Sequence, residues 1–157
     1  MAVAAQAVAS MIKVRPISAA DKSQWLELWQ AYLDFYEVTL KASATESLWA
    51  RLHDDLVPIQ GLVAVEGNRR VVGILHYVIH HNTWNTSEIC YLEDLFVDGA
   101  YRGQGTAREL IETLAEKARE QGWGRLYWMT DKANDRARRL YDDVANLTEY
   151  VRYDYPL

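Results

Sequence analysis

A single cysteine, two phenylalanines, three prolines and three methionines are what this 157-residue chain has least of. With only Cys90 present, an internal disulfide is excluded, and nothing further about compartment follows from it. No apolar run approaches the roughly 18 residues that a membrane-spanning helix needs, so no membrane partner is expected. Positive charge is also short, since 17 Lys and Arg face 22 Asp and Glu for a net charge of -5. That balance argues against a nucleic-acid partner, which is held largely by phosphate contacts, and mildly favours cationic ones. His76, His80 and His81 lie close together, but no Cys or Asp constellation accompanies them at ligand spacing, so no metal is expected.

What is present is ordinary for a globular protein: half the residues are hydrophobic and a quarter charged. The length fits one domain with a core of useful size. Met1–Ser10 is rich in Ala and Val but lacks the positive start of a signal peptide. Residues 1–10 are therefore read as a flexible extension and 11–157 as one domain, with a cytoplasmic location expected.

Taken in order, Ile12 to Ile17 alternates and reads as a strand, and Ser18 with Asp21 fits a capping box. The helix it opens carries Trp25, Leu28, Trp29, Tyr32, Leu33 and Tyr36 at offsets 0, 3, 4, 7, 8 and 11, an amphipathic face. Its late aromatics, Tyr32 and Tyr36, with Asp34 and Glu37 nearby, are candidates to line an amine pocket or simply to pack. Ser43 with Glu46 repeats the cap for a second helix through Leu48, Trp49, Leu52 and Leu56, stopped by Pro58. Strand-like runs follow at Gly61–Glu66, Arg70–His80 and Thr86–Val97, joined by turns at Gly67-Asn68 and Asn82–Asn85. Trp84 in the second turn is a large apolar residue in an unusual place, a candidate to touch substrate or a second subunit.

A helix from Arg108 to Gln121 then presents Ala107, Leu110, Ile111, Leu114, Ala115 and Ala118 on one face, with Gly122 at its end. Arg125–Thr130 reads as a strand, Asn134 as the cap of a helix with Ala137, Leu140, Tyr141 and Val144 inward, and Glu149–Asp154 as a closing strand. No repeat and no internal linker appears. This order describes an α+β domain with a mixed sheet.

Tyr91 to Ala107 (Y-L-E-D-L-F-V-D-G-A-Y-R-G-Q-G-T-A) is the stretch on which the others converge. Its first half is β-prone with Glu93 and Asp94 set in the middle; its second half is a glycine-rich turn entering a helix. Free backbone N–H groups at a helix N-terminus bind phosphate, and glycines let the ligand approach. A phosphate grip and a candidate base thus lie a few residues apart. The pattern is neither a P-loop, since no Gly-Lys-Ser/Thr follows, nor a dinucleotide fingerprint, which needs a third glycine.

Arg102-Gly103-Gln104-Gly105-Thr106-Ala107 resembles the Arg/Gln-x-x-Gly-x-Gly/Ala signature of the GCN5-related N-acetyltransferase (GNAT) superfamily. The resemblance runs from about Ile59 onward through Asn134, Ala137, Leu140 and Tyr141. Y-L-E-D-L-F-V with Y-R-G-Q-G is similar to the diamine (spermidine/spermine-type) acetyltransferases, and L-Y-D-D-V-A to a histone, polyamine and D-amino-acid branch. The resemblance implies a GNAT fold, with a mixed, mostly antiparallel sheet of six to seven strands and about four helices. It also implies acetyl-CoA as cosubstrate and a homodimer, the second supported by ten tyrosines and six tryptophans, more than such a core readily uses.

By resemblance, acetyl-CoA lies along Leu95, Phe96 and Val97 and in the turn from Arg102 through Gly103, Gln104, Gly105 and Thr106 to Ala107. Asn134 would bond the pantetheine arm or serve only as a helix cap, and Arg102 would add a cation or stay a solvated turn residue. Glu93 matches the acid of the diamine branch and Tyr141 the tyrosine placed near the CoA sulfur, so they are the expected base and acid. Asp94, with Tyr32, Tyr36, Glu37 and Trp84, is the expected acceptor-binding set, with Asp94 either binding the ammonium or serving as a structural acceptor for local N–H donors. Strand alternation puts Glu93 and Asp94 on opposite faces unless the strand is kinked there. Thr106 stands where the family has an aliphatic residue, and Thr148-Glu149-Tyr150 where Gly-Phe is common. Three functions stay open: acetylation of a small cationic amine (polyamine, diamine or amino acid), acetylation of a protein amine, and a CoA-binding module without turnover.

Overall fold

A computed structural model describes residues 11–157 except Asn68; the reading of Met1–Ser10 as an extension lies outside the described residues. Five strands form one sheet in the order β1 (Ile12–Pro16), β2 (Ile59–Glu66), β3 (Arg70–His80), β4 (Ile89–Val97) and β5 (Leu126–Tyr127). The first four are antiparallel neighbours, and β5 runs parallel to β4. Helices α1 (Lys22–Phe35) and α2 (Ala42–Arg51) cover one face, where Trp25, Leu28, Trp29 and Leu33 pack on Val63, Val65, Val71, Ile74 and Phe96. On the other face α3 (Thr106–Gln121) and α4 (Asp135–Val144) lie against Leu62, Ala64, Val72, Leu75, Cys90, Leu92 and Val97. Gly73 on β3 admits Leu110 of α3, whose methyl carbon would stand 3.1 Å from an added Cβ.

Asp21 holds the entry to α1. It accepts the Ser18 N–H at 2.8 Å and a two-pronged Arg15 guanidinium at 2.7 and 2.8 Å. These bonds, the Arg15 pair foremost, keep its carboxyl below the ordinary range. A depressed carboxyl stabilises the fold above its unfolded pKa of about 3.9 and loses that effect as pH falls through its folded value. Asp21→Asn should therefore lower stability at neutral pH by about 1–2 kcal/mol, discounted for the exposure of Arg15. Urea unfolding at pH 7 and pH 3 checks it, since the wild-type advantage must shrink toward the acid end.

Several expectations need correction. Among the described residues the sheet has five strands, not six to seven. Glu149–Asp154 alternates but forms no strand, and Tyr150, Val151 and Tyr153 remain exposed. The strand expected at Arg125–Thr130 shrinks to Leu126–Tyr127, because β5 diverges from β4 after two paired residues and so presents no long edge. Ser43 does not cap α2, which begins one residue earlier behind Lys41; Glu46 instead pairs with Lys22 at 2.9 Å. Nor does α2 reach Pro58: it ends at Arg51, and Leu56 is exposed beyond it. Among the described residues no helix is long and apolar enough to cross a membrane.

Candidate active site

The centre of the site is an irregularity in β4. His76 faces Asp94 and Tyr77 faces Leu92, so Glu93 has no partner on β3 and forms a bulge. The bulge resets the alternation of side chains. Cys90 and Leu92 before it, and Leu95 and Val97 after it, all pack into the core under α3 and α4. Counting forward from Leu92 and backward from Leu95, Glu93 and Asp94 both project toward α1 and α2. The two acids expected on opposite faces are thus side by side.

Their surroundings differ. Asp94 is mostly buried, and its two oxygens accept from the Tyr32 hydroxyl at 2.7 Å and from His76 Nδ1 at 3.0 Å. Glu93 is exposed and accepts no hydrogen bond from the described residues. Partial desolvation first, and the charge on Asp94 second, hold its carboxyl above the ordinary range; Arg51 pulls the other way. An unengaged carboxylate of raised basicity next to an engaged one can accept a proton.

From Leu92 onward β4 has no paired strand on the β5 side among the described residues, so the sheet splays open beside this pair. Tyr141 of α4 reaches the splay from the far face, edge-on to Trp128 at 5.4 Å. Its hydroxyl bonds to none of the described residues, and burial above all, with the charge of Tyr36 second, pushes its pKa up to about 12. Tyr36 itself is partly exposed and packs edge-on against Tyr32 at 5.0 Å. Glu37, which follows, takes a left-handed conformation (φ 55°) that non-glycine residues rarely adopt, while the Val38 N–H reaches back to Leu33 O at 2.9 Å.

The glycine turn leads off the end of β4. Gly103 and Gly105 have φ of 73° and 86°, and a Cβ on either would meet nothing within 4 Å. These glycines are not needed for packing; they shape the turn and leave empty space in front of it. The first backbone bond of α3 runs from Glu109 N to Gly105 O at 3.0 Å, so the N–H groups from Gly103 to Ala107 have no acceptor in the turn. Such a row of donors at a helix N-terminus fits a pyrophosphate.

The acetyltransferase (GNAT) family model matches residues 25–144, which include the bulge, the splay, the glycine turn and Tyr141. The chain belongs to the GNAT family. A D-amino-acid N-acetyltransferase of Saccharomyces cerevisiae is 34% identical over 143 residues, covering 90% of this chain and 89% of that protein. A thialysine N-epsilon-acetyltransferase of Bos taurus is 39% identical over 81 residues, about half of each chain. An aminoglycoside acetyltransferase from an uncultured soil metagenomic sample shares the fold, with a TM-score of 0.78 at 22% identity over 93% of this chain and 96% of that one. This GNAT protein is therefore an N-acetyltransferase.

Other expected residues of this acetyltransferase fall into place unevenly. Arg102 folds back rather than forward: its Nε donates to Val97 O at 2.9 Å and its guanidinium lies over Phe96 at 5.1 Å. Gln104 donates to Ala100 O at 3.1 Å, and buried Thr106 turns its hydroxyl toward Tyr101 O at 3.4 Å. Leu95, Phe96 and Val97 line the end of β4 with Phe96 and Val97 buried. Asn134 caps α4 through the Ala137 N–H at 3.3 Å, its amide nitrogen 3.4 Å from the Thr130 hydroxyl. Trp84 is not brought to the other site residues; it stands 90% exposed at the tip of the β3–β4 hairpin. The reading missed Trp25 and His76, which stand behind Asp94. The signal for them was a histidine in the apolar run G-I-L-H-Y-V with an acid one strand away.

Proposed function

We propose that this GNAT enzyme transfers acetyl from acetyl-CoA to the primary amine of a small cationic substrate, such as a polyamine, diamine or amino acid, by direct attack in a ternary complex. The observation that carries this reading is the bulge, which sets a free Glu93 beside an engaged Asp94 at the mouth of the splay. Two carboxylates with aromatic neighbours suit an ammonium group. The relatives named for D-amino acids and thialysine favour small amines over protein lysines.

Acetyl-CoA supplies the thioester carbon and its sulfur leaving group. The N–H groups from Gly103 to Ala107 would hold its pyrophosphate, with the open edge of β4 from Leu95 to Val97 alongside the pantetheine arm and Asn134 near it. Glu93 takes the ammonium proton, directly or through one water. The freed nitrogen lone pair forms the C–N bond, and the C–S bond breaks with its electrons going to sulfur. Exposed Glu93 passes that first proton to solvent and then takes the surplus proton on nitrogen, while Tyr141 donates a hydrogen bond to the departing sulfur. Cys90 offers no covalent route: it is fully buried in the opposite core, and burial pushes its thiol up to about 12. Thiol release measured across a panel of amines and lysine peptides tests the reading, and a preference for peptides would overturn the substrate class.

Gly105→Val should weaken acetyl-CoA binding at least tenfold. A β-branched residue in that left-handed position is strained by about 1–2 kcal/mol, and its side chain would occupy the space before the N–H row. Calorimetric titration with acetyl-CoA on the folded variant checks it; unchanged affinity counts against the site. Homodimerisation is part of the same proposal. Exposed Trp84, Tyr150, Val151, Tyr153 and Tyr155 give the chain apolar surface that a second copy would cover. Sedimentation at micromolar concentration should show two copies; a monomer would refute it.

A further inference from the structure

Four side chains from three elements form a continuous line of hydrogen bonds behind the bulge. The Trp25 indole Nε1–H donates to His76 Nε2 at 2.9 Å. His76 Nδ1 in turn lies 3.0 Å from Asp94 Oδ2, and the Tyr32 hydroxyl closes on Asp94 Oδ1 at 2.7 Å. Its inner end is sealed, with Trp25 0% and His76 2% exposed. Trp29 stands edge-on to the imidazole at 5.4 Å, and Gly61 faces His76 from β2. An indole nitrogen is a donor only. His76 Nε2 must therefore offer its lone pair, which leaves the ring's one proton on Nδ1, aimed at Asp94. A second proton would place two N–H donors head to head at 2.9 Å.

We propose that Trp25 and His76 are positioning residues for acetyl transfer: the indole holds His76 neutral with its proton on Nδ1, so that Asp94 keeps its full negative charge beside Glu93. The charged and titratable groups that act on Asp94 and Glu93 besides His76 are Tyr32 and Tyr36 from α1, Tyr91 from β4 and Arg51 at the end of α2. None of them protonates the ring, and β2 contributes no titratable group opposite it. A neutral donor orients the Asp94 carboxylate without cancelling its charge. An imidazolium there would cancel much of it, weakening the pull on an ammonium and lowering the basicity of Glu93 together. The buried tryptophan is what prevents this as pH falls.

The inference rests on Glu93 as the base, but its first test does not. In nitrogen-15 NMR of the intact chain, the wild-type His76 ring should show its one proton on Nδ1 and an unprotonated Nε2. Trp25→Phe removes the donor, and a protonated Nε2 should then appear in the spectrum. As it does, kcat/KM for the amine should fall about tenfold further than in wild type, the worth of one pKa unit, with KM for acetyl-CoA unmoved. His76→Asn sets an amide N–H near the place of Nδ1 and cannot be protonated, so it should restore the wild-type shape of the pH profile. A protonated Nε2 in the wild-type spectrum at neutral pH, or a Trp25→Phe profile parallel to wild type, would overturn the proposal. If Trp25→Phe does not fold, the wild-type spectrum and the His76→Asn profile decide it. Failure of Glu93 as base would leave the wild-type spectrum unchanged, so the two ideas fall separately.

Discussion

Replacing Glu93 by glutamine should lower kcat/KM for the amine about 10²- to 10⁴-fold at neutral pH, with the deficit closing as pH rises. An alkylamine has a pKa near 10, so at pH 7 only about one molecule in a thousand is free to attack. Glutamine preserves the shape of the side chain and removes its capacity to accept a proton, which leaves the variant dependent on that small free-base fraction. Its rate should climb about tenfold per pH unit until the amine pKa is reached. The wild-type enzyme climbs less over the same range because Glu93 is already ionised there. Its acid limb lies above the ordinary glutamate value, since desolvation and Asp94 raise the Glu93 pKa. Asp94 cannot take over, with both oxygens committed to Tyr32 and His76. A wild-type to variant ratio that stayed constant across pH would remove Glu93 from the proton path.

How much of this could be read in the residues follows from how local each feature is. The turn at Arg102–Ala107 and the amphipathic faces of α1 and α3 depend on neighbours in sequence, and they appear where the spacing puts them. The bulge depends on register against β3. Its one local sign is that Leu92 and Leu95, three apart on a strand, both need the same core, which a strict two-residue period cannot satisfy. The relay behind Asp94 joins Trp25 to His76 across 51 residues, beyond the reach of any periodicity. The tail shows the opposite error. Glu149–Asp154 has the alternation of a strand, but alternation supplies no partner, and β5 leaves β4 too soon to provide an edge.

Tyr141→Phe should lower turnover about 10²-fold, at the lower end of what a positioned acid contributes, while acetyl-CoA affinity stays within about twofold. The raised pKa sets that size. A phenol at about 12 faces a thiol whose ordinary pKa is about 8.5, so complete transfer in the ground state is uphill by roughly 3.5 pH units, or about 5 kcal/mol. The hydroxyl therefore acts first as a hydrogen-bond donor to the sulfur as charge develops on it, an interaction worth about 1.5–3 kcal/mol when the acceptor is charged. The same burial keeps Tyr141 protonated through the whole working range. Wild-type turnover should consequently show no alkaline loss from this group below about pH 11, and the phenylalanine variant should keep the wild-type profile at a lower level. Single-turnover kinetics with saturating acetyl-CoA, set beside calorimetry of its binding, separate the two roles available to this side chain. If turnover held while affinity dropped, Tyr141 would be a packing partner of Trp128, and the hydrogen bond to sulfur would have to come from elsewhere at the splay.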